Sequence, residues 1–411
     1  MGTLLQQSGL GTRSTSFSRR CTRLSAQTKH VAKRNLGVLE KTGKLVPQGA
    51  IVKLAKFGWN LIWKLFMNEL APQSKDGMYV RPGYTFDQRR IGDEEFPAVP
   101  LGSSHTYVLF VGNPCPWCHR VLMAAELRGL VGTVVDVVYL VDDPERASRG
   151  GWVFDGVDPY FGYSDLRQVY DGLCGIQGGF TGRCTAPLLV DAVSKRIISN
   201  ESSDIVEMFD DIDVPGLTRD IRLRPKHLLA EINECNSRIF DQLNNGVYKC
   251  GFSTEQEAYE KAHAALCRTL QELDDVLDES RFLLGEKFTD ADLRVFATAA
   301  RFDAVYSSLF KCVQRLSEYP NLHRWFIECS QLPLSQHDQK EGKTLADTVD
   351  IDDCRRSYYS QLFPLNPGGI IPSGPLARDV LLHTTIDGAH VQKNDSQTDC
   401  FWTRMNDYET T

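Results

Sequence analysis

Over 411 residues the sequence has no run of 18 apolar residues free of charge, so no membrane-spanning helix is expected. The nearest candidate, Ala50 to Leu70, is interrupted by Lys53, Lys56 and Lys64. Basic residues are not in surplus either: 46 Lys and Arg face 53 Asp and Glu, a formal net charge of −7, which argues against a generic nucleic-acid partner. No apolar h-region of a secretory signal stands near the N-terminus, so the 12 cysteines do not read as a disulfide framework. Only Cys115 and Cys118 stand close together. No second Cys or His pair at ligand spacing accompanies them, and no metal is expected.

Acidic residues are missing before Glu40, where Arg13, Arg19, Arg20, Arg23, Lys29, Lys33 and Arg34 lie among Ser and Thr. That composition fits an organelle transit peptide, here residues 1–45, with a plain basic tail as the alternative. Residues 46–100 then form an N-terminal extension. Within it Ile51, Leu54, Phe57, Trp59, Leu61, Ile62, Leu65 and Phe66 predict an amphipathic helix. Packing on its own domain is the first reading of that helix and contact with a membrane surface the second.

From Tyr107 the run Tyr-Val-Leu-Phe-Val-Gly predicts a buried strand stopped by Asn113-Pro114, and Cys118 to Arg128 has helical spacing. Thr133 to Val141 is a second β-branched strand and completes a βαβ unit. Ala186 to Val190 and Arg196 to Ser199 flank a hairpin turn, and Asn200-Glu201-Ser202-Ser203 opens a further helix. This order is that of an α/β thioredoxin-like domain, placed at residues 101–211. Asp142 to Arg183 has no clear period. Helices predicted near 225–245, 255–279, 289–311 and 320–331 make an all-α bundle, bounded at 222–362. Residues 363–411 form a C-terminal segment, with an aperiodic tail from Leu376.

A cysteine at a helix N-terminus has its thiolate favoured by free backbone N–H groups and the helix dipole. Cys115 is therefore the candidate nucleophile. A lowered pKa adds little to attack, because nucleophilicity falls with it, but it makes Cys115 a good leaving group when a second thiol resolves a mixed disulfide. Cys118 reads equally as a resolving thiol or a small buried hydrophobe. His119 and Arg120 add positive character, although an Arg on a first helical turn is more often simply solvated. Thr185-Ala186-Pro187 is the place where a thioredoxin-like domain presents backbone groups beside its cysteine through a cis-proline. Glu201-Ser202-Ser203 at a helix start suits a small carboxylate. Together these features point to a thiol peptide, with glutathione the obvious candidate.

The motifs Cys115-Pro116-Trp117-Cys118-His119-Arg120, Gly151-Trp152-Val153-Phe154, Asn200-Glu201-Ser202-Ser203, Asn244 to Lys249, Arg301 to Tyr306 and Asn366 to Pro372 resemble the glutathionyl-hydroquinone reductases, the Xi-class glutathione transferases. The resemblance runs from about Phe86 to Pro375. Trp59-Asn60 and Glu69 to Lys75 are similar to the chloroplast members of plants and algae. The resemblance implies a thioredoxin-like domain followed by an all-α bundle, with Cys115 as nucleophile. It implies that glutathione is held by Trp152, Arg183, Cys184, Thr185, Ala186, Glu201 and Ser202. It further implies Tyr248 as proton donor and acceptor, Tyr306 and Tyr359 lining the thiolate, glutathionyl-hydroquinones as substrates, a homodimer, and the chloroplast stroma as location, with mitochondrial or cytoplasmic alternatives. Cys118 replaces the family's usual alanine and Ala186 its usual valine. An insertion around His337 to Leu345 leaves Tyr358 as the alternative to Tyr359.

Two competing readings remain at this level. A glutaredoxin-like thiol transferase or dehydroascorbate reductase needs Cys115 and Cys118 but not Tyr248. A non-enzymatic redox sensor needs only the two thiols.

Overall fold

The computed structural model describes residues 47–83, 86, 90–92, 94, 96, 107–216, 218–334 and 342–381. The transit peptide of residues 1–45 lies outside them, as do most of the insertion near His337 and the expected tail from residue 382 on, whereas the start of that tail forms a short helix (Ala377–Leu381) with Val380 buried. The chain divides into two compact units, Met1–Phe66 and Met67–Thr411. Helix α1 (Gln48–Leu70) begins in the first, and of its residues only Met67 is buried. Leu54, Phe57, Trp59 and Leu61 on its apolar stripe are exposed.

In the second unit, β1 (Tyr107–Gly112) is buried at every position, as its β-branched and aromatic content dictates for a central strand. It pairs in parallel with β2 (Val135–Asp142), Tyr107 opposite Val135. On its other side it pairs antiparallel with β4 (Leu188–Asp191), Tyr107 opposite Asp191. With β3 (Trp152–Val153) and β5 (Arg196–Ser199) the sheet order is β3-β2-β1-β4-β5. The parallel return runs through α2 (Pro116–Leu127), which is buried except at Glu126 and starts with Pro116, whose missing N–H has no helical partner to lose there. The stretch read as aperiodic holds β3 and a helix, α3 (Leu166–Leu173), capped by Asp165. After the hairpin, α4 (Ser202–Asp211) closes the thioredoxin-like layer.

The remainder is helical: α5 (Leu229–Ile239), α6 (Gly246–Phe252), α7 (Gln256–Glu279), α8 (Asp290–Arg301), α9 (Pro320–Ser330), α10 (Ile351–Gln361) and the short α11 (Ala377–Leu381). Helix α8 is buried along its whole length and begins in a capping box between Thr289 and Asp292. Where the sequence predicts continuous helices, two π-helical turns intervene, Phe240–Asn244 before α6 and Phe302–Tyr306 after α8. Helix α10 falls beyond the predicted bundle helices; its many polar residues hide the period, and Asp350 caps it.

Candidate active site

Sheet strand β1 ends at Gly112, and the turn Asn113-Pro114 delivers Cys115 to the N-cap of α2. Its Sγ lies 3.6 Å from the carbonyl oxygen of Ala186, and the Ala186–Pro187 bond is cis. The thiol is pushed down to about 7. Burial alone raises it; the hydrogen bond from the Cys118 thiol, the N–H groups of Cys118 and Trp117, and the charge of Arg301 together outweigh burial. Cys118 is itself buried, and burial next to the Cys115 thiolate holds its own thiol well above the usual range. Cys118 therefore stays protonated and serves as a hydrogen-bond donor to its neighbour.

Arg301, at the end of α8, is fully buried beneath this turn. Its Nε donates to the Pro114 carbonyl at 2.7 Å and its Nη2 to the Asn113 carbonyl at 2.7 Å. Its Nη1 donates to His119 Nδ1 at 3.0 Å. A guanidinium only donates, so Nδ1 accepts, and the imidazole proton sits on Nε2, 2.8 Å from Thr348 Oγ1. Burial and the Arg301 charge keep His119 neutral. The positive character near Cys115, expected from His119, comes instead from Arg301, a residue to which the sequence alone assigns no role.

Facing Cys115 is a group of phenols from three helical segments. Tyr248 on α6 places its hydroxyl 2.6 Å from that of Tyr358 on α10. Tyr358 is in turn 3.4 Å from the hydroxyl of Tyr306, the last residue of a π-helical turn. Phe310 packs against all three rings at centroid distances of 5.2 to 5.8 Å. Burial holds Tyr248 and Tyr358 well above the ordinary phenol range and pushes Tyr306 up to about 12. At neutral pH all three remain protonated and can give protons.

Cys115, Tyr248 and Tyr358 open onto one cavity of about 870 Å³, large enough for a tripeptide and an aromatic ring. Trp152, Arg183, Cys184, Thr185 and Ala186 also line it. Trp152 packs closely against Gly112, where a Cβ would collide with the indole. Arg183 donates to the carbonyls of Leu70 and Glu69 at 3.3 Å. Thr185 Oγ1 and Asn200 Oδ1 are buried without a protein partner on the cavity's wall, positions that a peptide ligand can fill. Glu201 and Ser202 sit one step beyond Asn200 at the start of α4 and are not part of the lining. Glu201 caps the helix by accepting from the Ser203 N–H at 2.9 Å. Ser202 Oγ accepts from Arg120 at 2.6 Å.

The Glutathione S-transferase, N-terminal domain family matches residues 114–212, and the Glutathione S-transferase, C-terminal domain family matches residues 256–328. The chain is 38% identical over 285 residues to glutathionyl-hydroquinone reductase PcpF of Sphingobium chlorophenolicum, covering 67% of this chain and 84% of that one. The chain belongs to the glutathionyl-hydroquinone reductases. It is 36% identical over 281 residues to YqjG of Escherichia coli, another glutathionyl-hydroquinone reductase, covering 67% of this chain and 81% of the relative. The Xi glutathione-S-transferase of Phanerochaete chrysosporium superposes with a TM-score of 0.64 at 31% identity over 74% of this chain and 94% of that chain. The glutathione-bound structure of YqjG gives a TM-score of 0.60 at 34% identity over 67% and 86% of the two chains.

Three residues of this reductase differ from expectation. Tyr359 is not the third phenol. One residue along α10 turns a side chain by about 100°, and the Tyr359 hydroxyl engages Ser308 while Tyr358 meets Tyr248 and Tyr306. Arg120 is not solvated: it is buried below Trp117, with its charge centre 4.9 Å from the indole. Its Nη2 donates to Ser202, Ser203 and Glu201 at the start of α4, while its Nε and Nη1 have no protein acceptor. Asp142, which no motif singles out, lines the cavity with Ser357 donating to its carboxylate, and burial pushes it up to about 6.

Proposed function

We propose that this reductase cleaves glutathionyl-hydroquinones through a Cys115–glutathione mixed disulfide. The observation that carries the proposal is one cavity shared by a cysteine with its thiol pushed down to about 7 and a hydrogen-bonded set of protonated phenols. The glutathionyl part lies along Trp152 and Arg183 to Ala186, with Thr185 Oγ1 and Asn200 Oδ1 as unfilled partners. The family resemblance carries one peptide carboxylate to Glu201 and Ser202 at the start of α4, one step beyond the lining, where Glu201 is itself paired with Arg120. The Cys115 thiolate attacks the glutathione sulfur and the bond from sulfur to the aromatic carbon breaks.

Carbon leaves with that electron pair only if it is protonated as the bond breaks. Tyr248, protonated at neutral pH, gives its proton to the ring carbon as the bond breaks and accepts one back through Tyr358, 2.6 Å away, the net proton of the cycle coming from the thiol of the second glutathione. The sulfur pair has been oxidised and the carbon reduced. A second glutathione then attacks the mixed disulfide, releasing oxidised glutathione and the Cys115 thiolate in a ping-pong cycle. A pKa of about 7 makes Cys115 a competent leaving group in this second half. Homodimer formation and delivery to the chloroplast stroma by residues 1–45 belong to the same proposal. The family resemblance supports the first, and the basic, acid-free leader supports the second.

The test incubates the protein with a glutathionyl-hydroquinone and excess glutathione and quantifies free hydroquinone and oxidised glutathione by mass spectrometry. Equal amounts of both products are expected, lost with Cys115→Ser by roughly a thousandfold or more and kept with Cys118→Ser. A preparation that leaves the conjugate intact while reducing a glutathione mixed disulfide overturns the thioether chemistry and returns the protein to the dithiol reading.

A further inference from the structure

Helix α1 presents a face that neither the second unit's fold nor its site accounts for. At 100° per residue, every Leu, Ile, Val and Trp from Ile51 to Leu65 falls within one arc of about 200°. Lys53, Lys56, Asn60 and Lys64 occupy the opposite side. In a core-facing helix such an arc is buried, yet Leu54 is 73% exposed, Leu61 64%, Leu65 63% and Trp59 55%.

We propose that α1 lies in the surface of an anionic lipid bilayer, apolar arc down, and holds the enzyme there. Three observations select this occupant over a second copy of the chain. The arc is far wider than the two-in-seven seam that a partner helix covers, whereas a fluid surface covers all of it. No Asp or Glu occurs from Lys41 to Asn68, while five lysines do, so the segment is complementary to negative headgroups. Trp63 falls at the edge of the arc next to Lys56, with Trp59 on the same flank, the level at which indoles favour the boundary between headgroup and acyl chain. Among the described residues no helix is long and apolar enough to cross a membrane, so the proposed attachment is to one surface of the bilayer.

The experiment sediments the full chain with vesicles of phosphatidylglycerol mixed with phosphatidylcholine, and with vesicles of phosphatidylcholine alone. Binding to the anionic vesicles is expected to exceed binding to the neutral ones by about tenfold and to fall as salt is raised. Leu61→Glu with Leu65→Glu should abolish binding to both, and Lys53→Glu with Lys56→Glu should remove only the anionic preference. Both double variants should keep the helical circular dichroism and the reductase activity of the parent, since neither touches the cavity. Full retention of anionic binding by the leucine double variant overturns the proposal and assigns adhesion to the basic leader. A mass change in the same variant without any change in vesicle binding overturns it in favour of self-association.

Discussion

The two halves of the second unit build their chemistry from different materials. The thioredoxin-like half works largely through its main chain: beside the Cys118 thiol, the free N–H groups at the start of α2 and the carbonyl of Ala186 surround Cys115. The helical half works through side chains, with Tyr248, Tyr306 and Tyr358 as phenols and Arg301 as a buried cation. Main-chain groups are present whatever the side chains, so sulfur chemistry comes with the fold. In the proposed mechanism protonating carbon requires acids at chosen places, and the phenols assigned to that task lie on helices that the thioredoxin-like layer does not contain.

The sharpest way to separate the halves is Tyr248→Phe. It should lower thioether cleavage by about 10²- to 10⁴-fold while leaving reduction of a glutathione mixed disulfide within about twofold, both read by single-turnover kinetics. Equal losses in the two reactions would merge the halves into one device. Next comes Arg301→Met, which strips the Asn113 and Pro114 carbonyls of their donors and is expected to cost about 3 kcal/mol or more in a denaturant melt. The thiolate also loses a nearby cation. The rate depends on a deprotonated Cys115, so the acidic limb of the pH profile for disulfide reduction should move upward by roughly one unit. Arg301→Lys keeps the charge and should restore most of that limb without the full stability, a split that a purely structural role would not produce.

Smaller effects refine the comparison. Tyr358→Phe should slow thioether cleavage by about tenfold by removing the partner that resupplies Tyr248, while Tyr359→Phe should leave kcat unchanged; the reverse result would restore the register expected from sequence. Smallest is Cys118→Ala, which removes the thiol donor to Cys115. Rates measured across pH should show the limb rising from about 7 toward the ordinary thiol range, with a loss of a few-fold at pH 7 and none at pH 9. Cys118→Ser, which keeps a donor, should shift it less.

Much of this was legible in the sequence where the signal is local. The β1 run, the Asn113-Pro114 stop and the hairpin before α4 are period and punctuation, and they put Cys115, Thr185 and Ser202 on the correct elements. Helix α3 was missed although its signal is present. Leu166, Val169, Tyr170 and Leu173 come after an Asp cap at helical spacing, but glycine-rich surroundings masked so short an element. The tyrosine register failed because the insertion near His337 breaks the count that carries a motif across to α10. Arg301 and Arg120 escaped for a different reason: a charge reads as solvated until a contact from a distant segment buries it, and no spacing rule reports such a contact.

The π-helical turns that precede Tyr248 and end in Tyr306 make this active site sensitive to chain length as well as to residue type. Each holds one more residue per turn than an ordinary helix. Deleting a residue from either would let it relax to regular helix and rotate the downstream residues by about 100°, carrying a phenol off the cavity with no amino acid at the site itself replaced. Lengthening the loops between helices leaves those bearings alone. Within Phe240–Asn244 and Phe302–Tyr306, the number of residues is itself part of the catalytic design.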